Sequence, residues 1–132
     1  MRGMMRIFVT LIVLVTLHGC SETGQDTGSN VMTLEICGSK FIENPSDEEI
    51  VAELSNLDIK CDDSFAILGP SDMTYIQIAG DKNEGFDLEY QEGNIDSHLR
   101  AKNENVPLDQ VVEAFIAYRN GENDWRGNFD FE

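Results

Sequence analysis

The alternation of Phe86, Leu88 and Tyr90 with Asp87, Glu89 and Gln91 constrains this chain more than any other feature. A period of two places the apolar side chains on one side of an extended backbone and the polar ones on the other, so the segment reads as a half-exposed strand. Its continuation, "EGNIDSHLRAK", offers a return strand. If Gly93 and Asn94 centre a two-residue turn, Leu88 faces Leu99, Asp87 faces Arg100 and Glu89 faces His98, uniting apolar residues on one side and opposite charges on the other. A register slipped by two sets Glu89 opposite Arg100 instead, and the sequence leaves both open.

Around this hairpin the remaining elements follow from local chemistry. Val31 to Cys37 is β-rich and reads as a first strand. Ser46 with Glu49 spells a capping box, and Asp47, Glu48 and Glu49 place negative charge at the positive end of a helix. Ile50, Val51, Leu54 and Leu57 recur at helical spacing as its buried stripe. Ser64–Leu68 and Met73–Ala79 read as strands, separated by the turn Gly69-Pro70-Ser71-Asp72. A second helix opens near Pro107, closes at Gly121 and buries Leu108, Val111, Val112 and Phe115. Trp125, Phe129 and Phe131 form an aromatic tail expected to pack on the domain. Strand, helix, several strands, helix is the order of an α+β fold, expected as a small antiparallel sheet with two helices packed on one face.

The first 30 residues are of another kind. Arg2 and Arg6 precede an apolar run, Ile7 to Leu17, whose 11 residues would rise roughly 16 Å as a helix, about half of a 30 Å hydrocarbon core. That is the shape of an export signal rather than of a membrane span. The run ends on Leu17-His18-Gly19-Cys20, which resembles the lipobox of bacterial lipoproteins, with His18 departing from the small or aliphatic residue usual there. The resemblance implies diacylation of Cys20 and cleavage before it, giving residues 1–19 as signal peptide. Ser21 in place of an aspartate implies the outer membrane, facing the periplasm, where the source has one. The alternative is a plain signal peptide with a fortuitous cysteine. Two or more acyl chains anchor firmly, each buried methylene contributing roughly 0.8 kcal/mol. Residues 20–30 lack any apolar member after Cys20 and read as a flexible tether with a reach of roughly 17 Å. Residues 31–132 are the size of one domain.

With Cys20 set aside, Cys37 and Cys61 remain as an even pair in an exported, oxidising setting. A disulfide is the expectation, contributing on the order of 3 kcal/mol if geometry permits. A pair of buried thiols is the alternative.

The chain of 132 residues carries 25 acidic and 9 basic residues, and loss of the signal removes two arginines and no acid, leaving a net charge of −18. Such a balance disfavours nucleic acid and anionic lipid surfaces, which need cations, and favours a basic protein partner. The plainer reading is charge that keeps a tethered domain soluble.

Motifs for chemistry are sparse. His98 is the mature chain's one histidine, no Gly-x-Ser-x-Gly elbow or Gly-rich phosphate loop occurs, and Cys37 and Cys61 are not a Cys-x-x-Cys pair. Asp81, Asn83, Asp87, Glu89 and Glu92 fall at the oxygen-ligand spacings of a calcium loop. Glycine stands at the fifth place rather than the sixth, however, and the second half alternates as a strand, so a solvated turn is favoured. No enzyme, cofactor or metal is expected.

A second resemblance rests on Gln77, Ala79 and Gly80, then Leu88, Glu89 and Tyr90, and lastly Phe115, Tyr118, Trp125 and Arg126. This set is similar to small uncharacterised α/β proteins of the immunity type found in bacterial toxin systems. It implies a protein-binding, toxin-neutralising module. The expected binding face is the acidic strand side at Asp87, Glu89 and Gln91. An envelope accessory or structural lipoprotein, with charge that only solubilises, is the competing expectation.

Overall fold

The computed structural model describes residues 31–57 and 61–132. The export signal, Cys20 and the tether lie outside the described residues. The described part is a mixed α+β domain dominated by its sheet. Strands β1 (Thr33–Ile36), β2 (Lys40–Glu43), β3 (Phe65–Ser71), β4 (Thr74–Asp81), β5 (Gly85–Glu92) and β6 (His98–Arg100) form one sheet in the order β2-β1-β3-β4-β5-β6. Every neighbouring pair is antiparallel. Helices α1 (Asp47–Ser55) and α2 (Leu108–Arg119) complete it.

Period-two burial runs through the whole sheet. Leu34 and Ile36, Ala66 and Leu68, Ile76 and Ile78, and Phe86, Leu88 and Tyr90 all lie in one core cluster. Ile50, Leu54 and Leu57 join it from α1 and its end, and Val111, Ala114 and Phe115 from α2. Each such large side chain stabilises by about 1.5–3 kcal/mol when taken out of water. The two helices touch each other, and Arg119 near the end of α2 fixes the start of α1: its Nε donates to the Pro45 carbonyl at 2.6 Å and its Nη1 lies 3.7 Å from Asp47. The capping box on α1 is present in both halves, Glu49 N–H donating to Ser46 Oγ at 3.1 Å and Ser46 N–H to Glu49 Oε2 at 2.8 Å.

Several expectations are corrected. The stretch Lys40–Glu43 is a strand that its mixed pattern concealed. Val51 is 42% exposed, because Ile50 and Leu54 set the buried line of α1 and Glu53, one turn from Ile50, fills the adjoining position, paired with Lys40 of β2. On α2, Ala114 is buried with Val111 and Phe115, while Leu108 and Val112 are half-buried. Gly69 and Pro70 belong to β3, whose pairing with β4 shifts by one residue between Leu68 and Ser71. Such a bulge accommodates proline's missing N–H. Gly69 is needed there, since a Cβ would stand 2.2 Å from the Thr74 carbonyl oxygen.

The β5–β6 pairing takes the slipped register: Glu89 opposite Arg100, Tyr90 opposite Leu99, Gln91 opposite His98. The tight turn at Gly93-Asn94 is replaced by a wider loop, because Ile95–Ser97 closes a 3-10 turn with Ser97 N–H on the Asn94 carbonyl at 3.1 Å. Cys37 and Cys61 are joined by a disulfide with Cα atoms 6.1 Å apart, linking the β1–β2 turn to the segment before β3. The C-terminal segment pairs with the far side of β6: Arg100 and Glu132 exchange both backbone hydrogen bonds at 2.9 Å. β2 is thus the sheet edge without a neighbour among the described residues.

Candidate functional site

The residues between the buried positions define the outer side of the sheet. The registers align Phe41 and Glu35, then Ile67, Gln77, Glu89 and Arg100 in one row across all six strands. Tyr75, Gln91 and His98 form a neighbouring row. This outer side divides into two halves.

On the β4–β6 half, side chains hold one another. Glu89 Oε2 accepts from Gln77 Nε2 at 2.6 Å and lies 3.1 Å from His98 Nε2. Arg100 Nη2 reaches Asp87 Oδ1 at 3.0 Å, while its Nε stands 3.9 Å from Glu89 Oε1, beyond hydrogen-bond reach. The charge matching expected from the tighter register therefore survives as diagonal contacts, within reach of long side chains. The hydrogen bond and charge of Asp87 push Arg100 further up from its ordinary value. Gln91 Oε1 lies 3.4 Å from the Tyr75 hydroxyl and 3.2 Å from His98 Nδ1, and its Nε2 donates to the Met73 carbonyl at 3.3 Å. Gln91 is 3% exposed, so of the three expected partner-binding residues, Asp87 and Glu89 face solvent in part and Gln91 lies beneath its neighbours.

Tyr75, His98 and Glu89 have the outline of a relay, with Tyr75 Oη 3.4 Å from His98 Nδ1. The direction of the tyrosine's titration opposes nucleophilic use. Burial, and then the Glu89 charge, raise the Tyr75 hydroxyl above its ordinary value, whereas a phenolate nucleophile needs it lowered.

On the β1–β3 half the character changes. Phe41 is 61% exposed, and with Ile67, Tyr75 and Gln77 it lines a concavity of ≈ 520 Å³ rimmed by Glu35 and Asp72. No ion pair among the described residues holds Glu35, Glu43 or Asp72. A second concavity of ≈ 590 Å³ carries Asp62, Asp63 and Asp81 beside the neutral Phe65, Ala79 and Gly80. The residues with calcium-loop spacing do not converge. Asp81 Oδ1 accepts from the Asn83 and Glu84 N–H groups at 2.8 and 2.9 Å, Asp87 and Glu89 point outward from β5, and Glu92 pairs with Arg126. Among the described residues no group of three or more His, Cys, Asp and Glu side chains is placed to hold a metal, and no helix is long and apolar enough to cross a membrane.

Tyr90, Tyr118, Trp125, Phe129 and Phe131 meet edge to face, with Tyr90 and Trp125 centroids 5.4 Å apart, and the Arg126 guanidinium lies 4.8 Å over the Tyr90 ring. Four residues of the immunity-type resemblance, Tyr90, Tyr118, Trp125 and Arg126, thus share a packing cluster. Phe41, Tyr75 and Gln77 are face residues outside the expected binding set of Asp87, Glu89 and Gln91. The opposite phase of Tyr75 and Gln77 to Ile76 and Ile78 is a signal for two of them, and short β2 carries none for Phe41. Comparison with protein-family models, curated proteins and solved structures finds no match to this chain.

Proposed function

We propose that this chain is a bacterial lipoprotein, held in the cell envelope by acylated Cys20, whose acidic, non-enzymatic domain binds a basic protein partner. In this reading both helices pack on the inner face of the sheet, and the outer face carrying Asp87, Glu89 and Gln91 meets the partner. The supporting observation is the outer face itself: a six-strand row of half-exposed side chains in which carboxylates stand beside exposed Phe41. Electrostatic steering by carboxylates and anchoring by an aromatic residue are the usual components of a protein-binding surface. Nucleic acid is not a partner in this reading. A toxin-neutralising role is its most specific form, suggested by the weaker sequence resemblance.

A second reading, an envelope accessory protein with merely solubilising charge, is favoured by the ion pairs of Asp87 with Arg100 and Glu92 with Arg126, which match part of the acid internally. Charge reversal separates the two. Asp87→Lys with Glu89→Lys should slow association with a lysine-rich probe peptide by about tenfold at low salt, and wild-type association should itself slow as ionic strength rises. Asp87→Asn with Glu89→Gln, a milder change, should act in the same direction while circular dichroism stays unchanged. Association indifferent to both pairs of substitutions would remove this face from the proposal.

A further inference from the structure

The hydrogen-bond phase of β2 identifies which of its backbone groups are unused. Asn44 N–H donates to the Met32 carbonyl at 2.6 Å, and the β1–β2 register keeps that phase, so Ile42 and Lys40 turn their N–H and C=O groups toward β1. Cys37 N–H on the Phe65 carbonyl at 3.1 Å gives the complementary phase on the β3 side of β1. Phe41 and Glu43 therefore direct their backbone donors and acceptors away from the sheet, where no described strand receives them.

This open ladder coincides with the unmatched half of the outer face. The Phe41 side chain lines the concavity together with Glu35 and Asp72, Glu43 follows two residues along β2 on the same side, and none of these three carboxylates has an ion pair among the described residues. Lys40, the one cation of β2, is engaged with Glu53. We propose that a basic, extended segment of a partner protein adds to β2 as a seventh strand. Its backbone bonds Phe41 and Glu43, an apolar side chain packs on Phe41, and lysines or arginines meet Glu43 and Glu35. This rests on the reading of the outer face as a site for a basic protein and fixes where on that face the partner lies. A second copy of this chain fits less well, because it brings a further carboxylate to the same edge and carries the same net negative charge.

The test uses the mature chain and a peptide of about eight residues in which lysine and valine alternate along one side of the strand, with threonine at the positions between. Binding should protect the Phe41 and Glu43 amides from hydrogen exchange. Phe41→Pro removes an N–H that points off the sheet, so it should keep the fold yet weaken binding by about tenfold or more, as should Glu43→Lys. The same peptide N-methylated at alternate amides should lose binding to the wild-type chain, a control that needs no protein variant. Undiminished affinity of the methylated peptide, or of a folded Phe41→Pro chain, overturns strand addition. Responses confined to Asp87 and Glu89 overturn it too, while leaving the face reading intact. Absence of any peptide binding defeats both. A wild-type dimer that Phe41→Pro converts to monomer assigns the edge to a second copy and overturns the proposal.

Discussion

Gln91 on β5 joins the β3–β4 turn, β4 and β6 through one amide, donating to the Met73 carbonyl and presenting its oxygen to Tyr75 and His98. Gln91→Leu preserves approximate volume but strands those groups, so it should lower stability by about 1–3 kcal/mol, read from the urea midpoint. An unmoved midpoint would show that water replaces the amide without cost. Tyr118 makes a different prediction. Burial, aided by the Glu92 charge and opposed by Arg126, pushes its hydroxyl up to about 12 from 10.0. The folded chain therefore holds this proton longer than the unfolded chain does. The contribution is fully present below pH 10.0 and is lost as pH rises through about 12. Phenolate absorbance should show a late-ionising tyrosine that disappears in Tyr118→Phe; a titration unchanged by that substitution would contradict the assignment.

At the scale of elements, β5 shows how a strand is held in phase. Phe86 exchanges both backbone bonds with Val106 at 2.9 Å, which brings Asn105 against Gly85. Gly85 has φ +101, and a Cβ there would lie 2.7 Å from the Asn105 backbone. Gly85→Ala should therefore cost about 1–3 kcal/mol through backbone strain, with a lowered urea midpoint and no change in secondary structure. A neutral effect would mean that the Asn105 segment yields freely. Period and capping made β5, α1 and α2 legible in the sequence, because a half-buried strand and a capped amphipathic helix each write one unambiguous pattern. β2 was not legible: "KFIE" is short, and its partner is set by the turn at Cys37 rather than by its own alternation. The β5–β6 register was legible only as a choice of two. The local signal at Gly93-Asn94 competed with a 3-10 turn and with the Phe131 segment that covers β6. Of the expected site, the side of the sheet was readable from alternation, whereas burial of Gln91 under Tyr75 and His98 depends on cross-strand neighbours that no single segment encodes.

The molecule as a whole combines an acidic charge, a disulfide across the first helix and an outer sheet face of two unlike halves. One half is knitted by Glu89, Gln91, His98 and Arg100, and the other leaves Phe41 and carboxylates available. If charge merely solubilises the domain, a basic peptide will meet carboxylates wherever they are dense, including Asp47 and Glu48 on α1 and the acidic segment Asp62-Asp63. If the outer face is the site, contact concentrates there and weakens with salt. The most direct measurement is a residue-resolved map of backbone amide shifts in the mature chain, titrated with the lysine–valine peptide at low and raised ionic strength. Shifts should cluster on the outer face, strongest along β2 at Phe41 and Glu43 and weaker toward Asp87 and Glu89, and should shrink as salt is added. Shifts spread over α1 and the Asp62-Asp63 segment in proportion to their charge would contradict the outer face as the site.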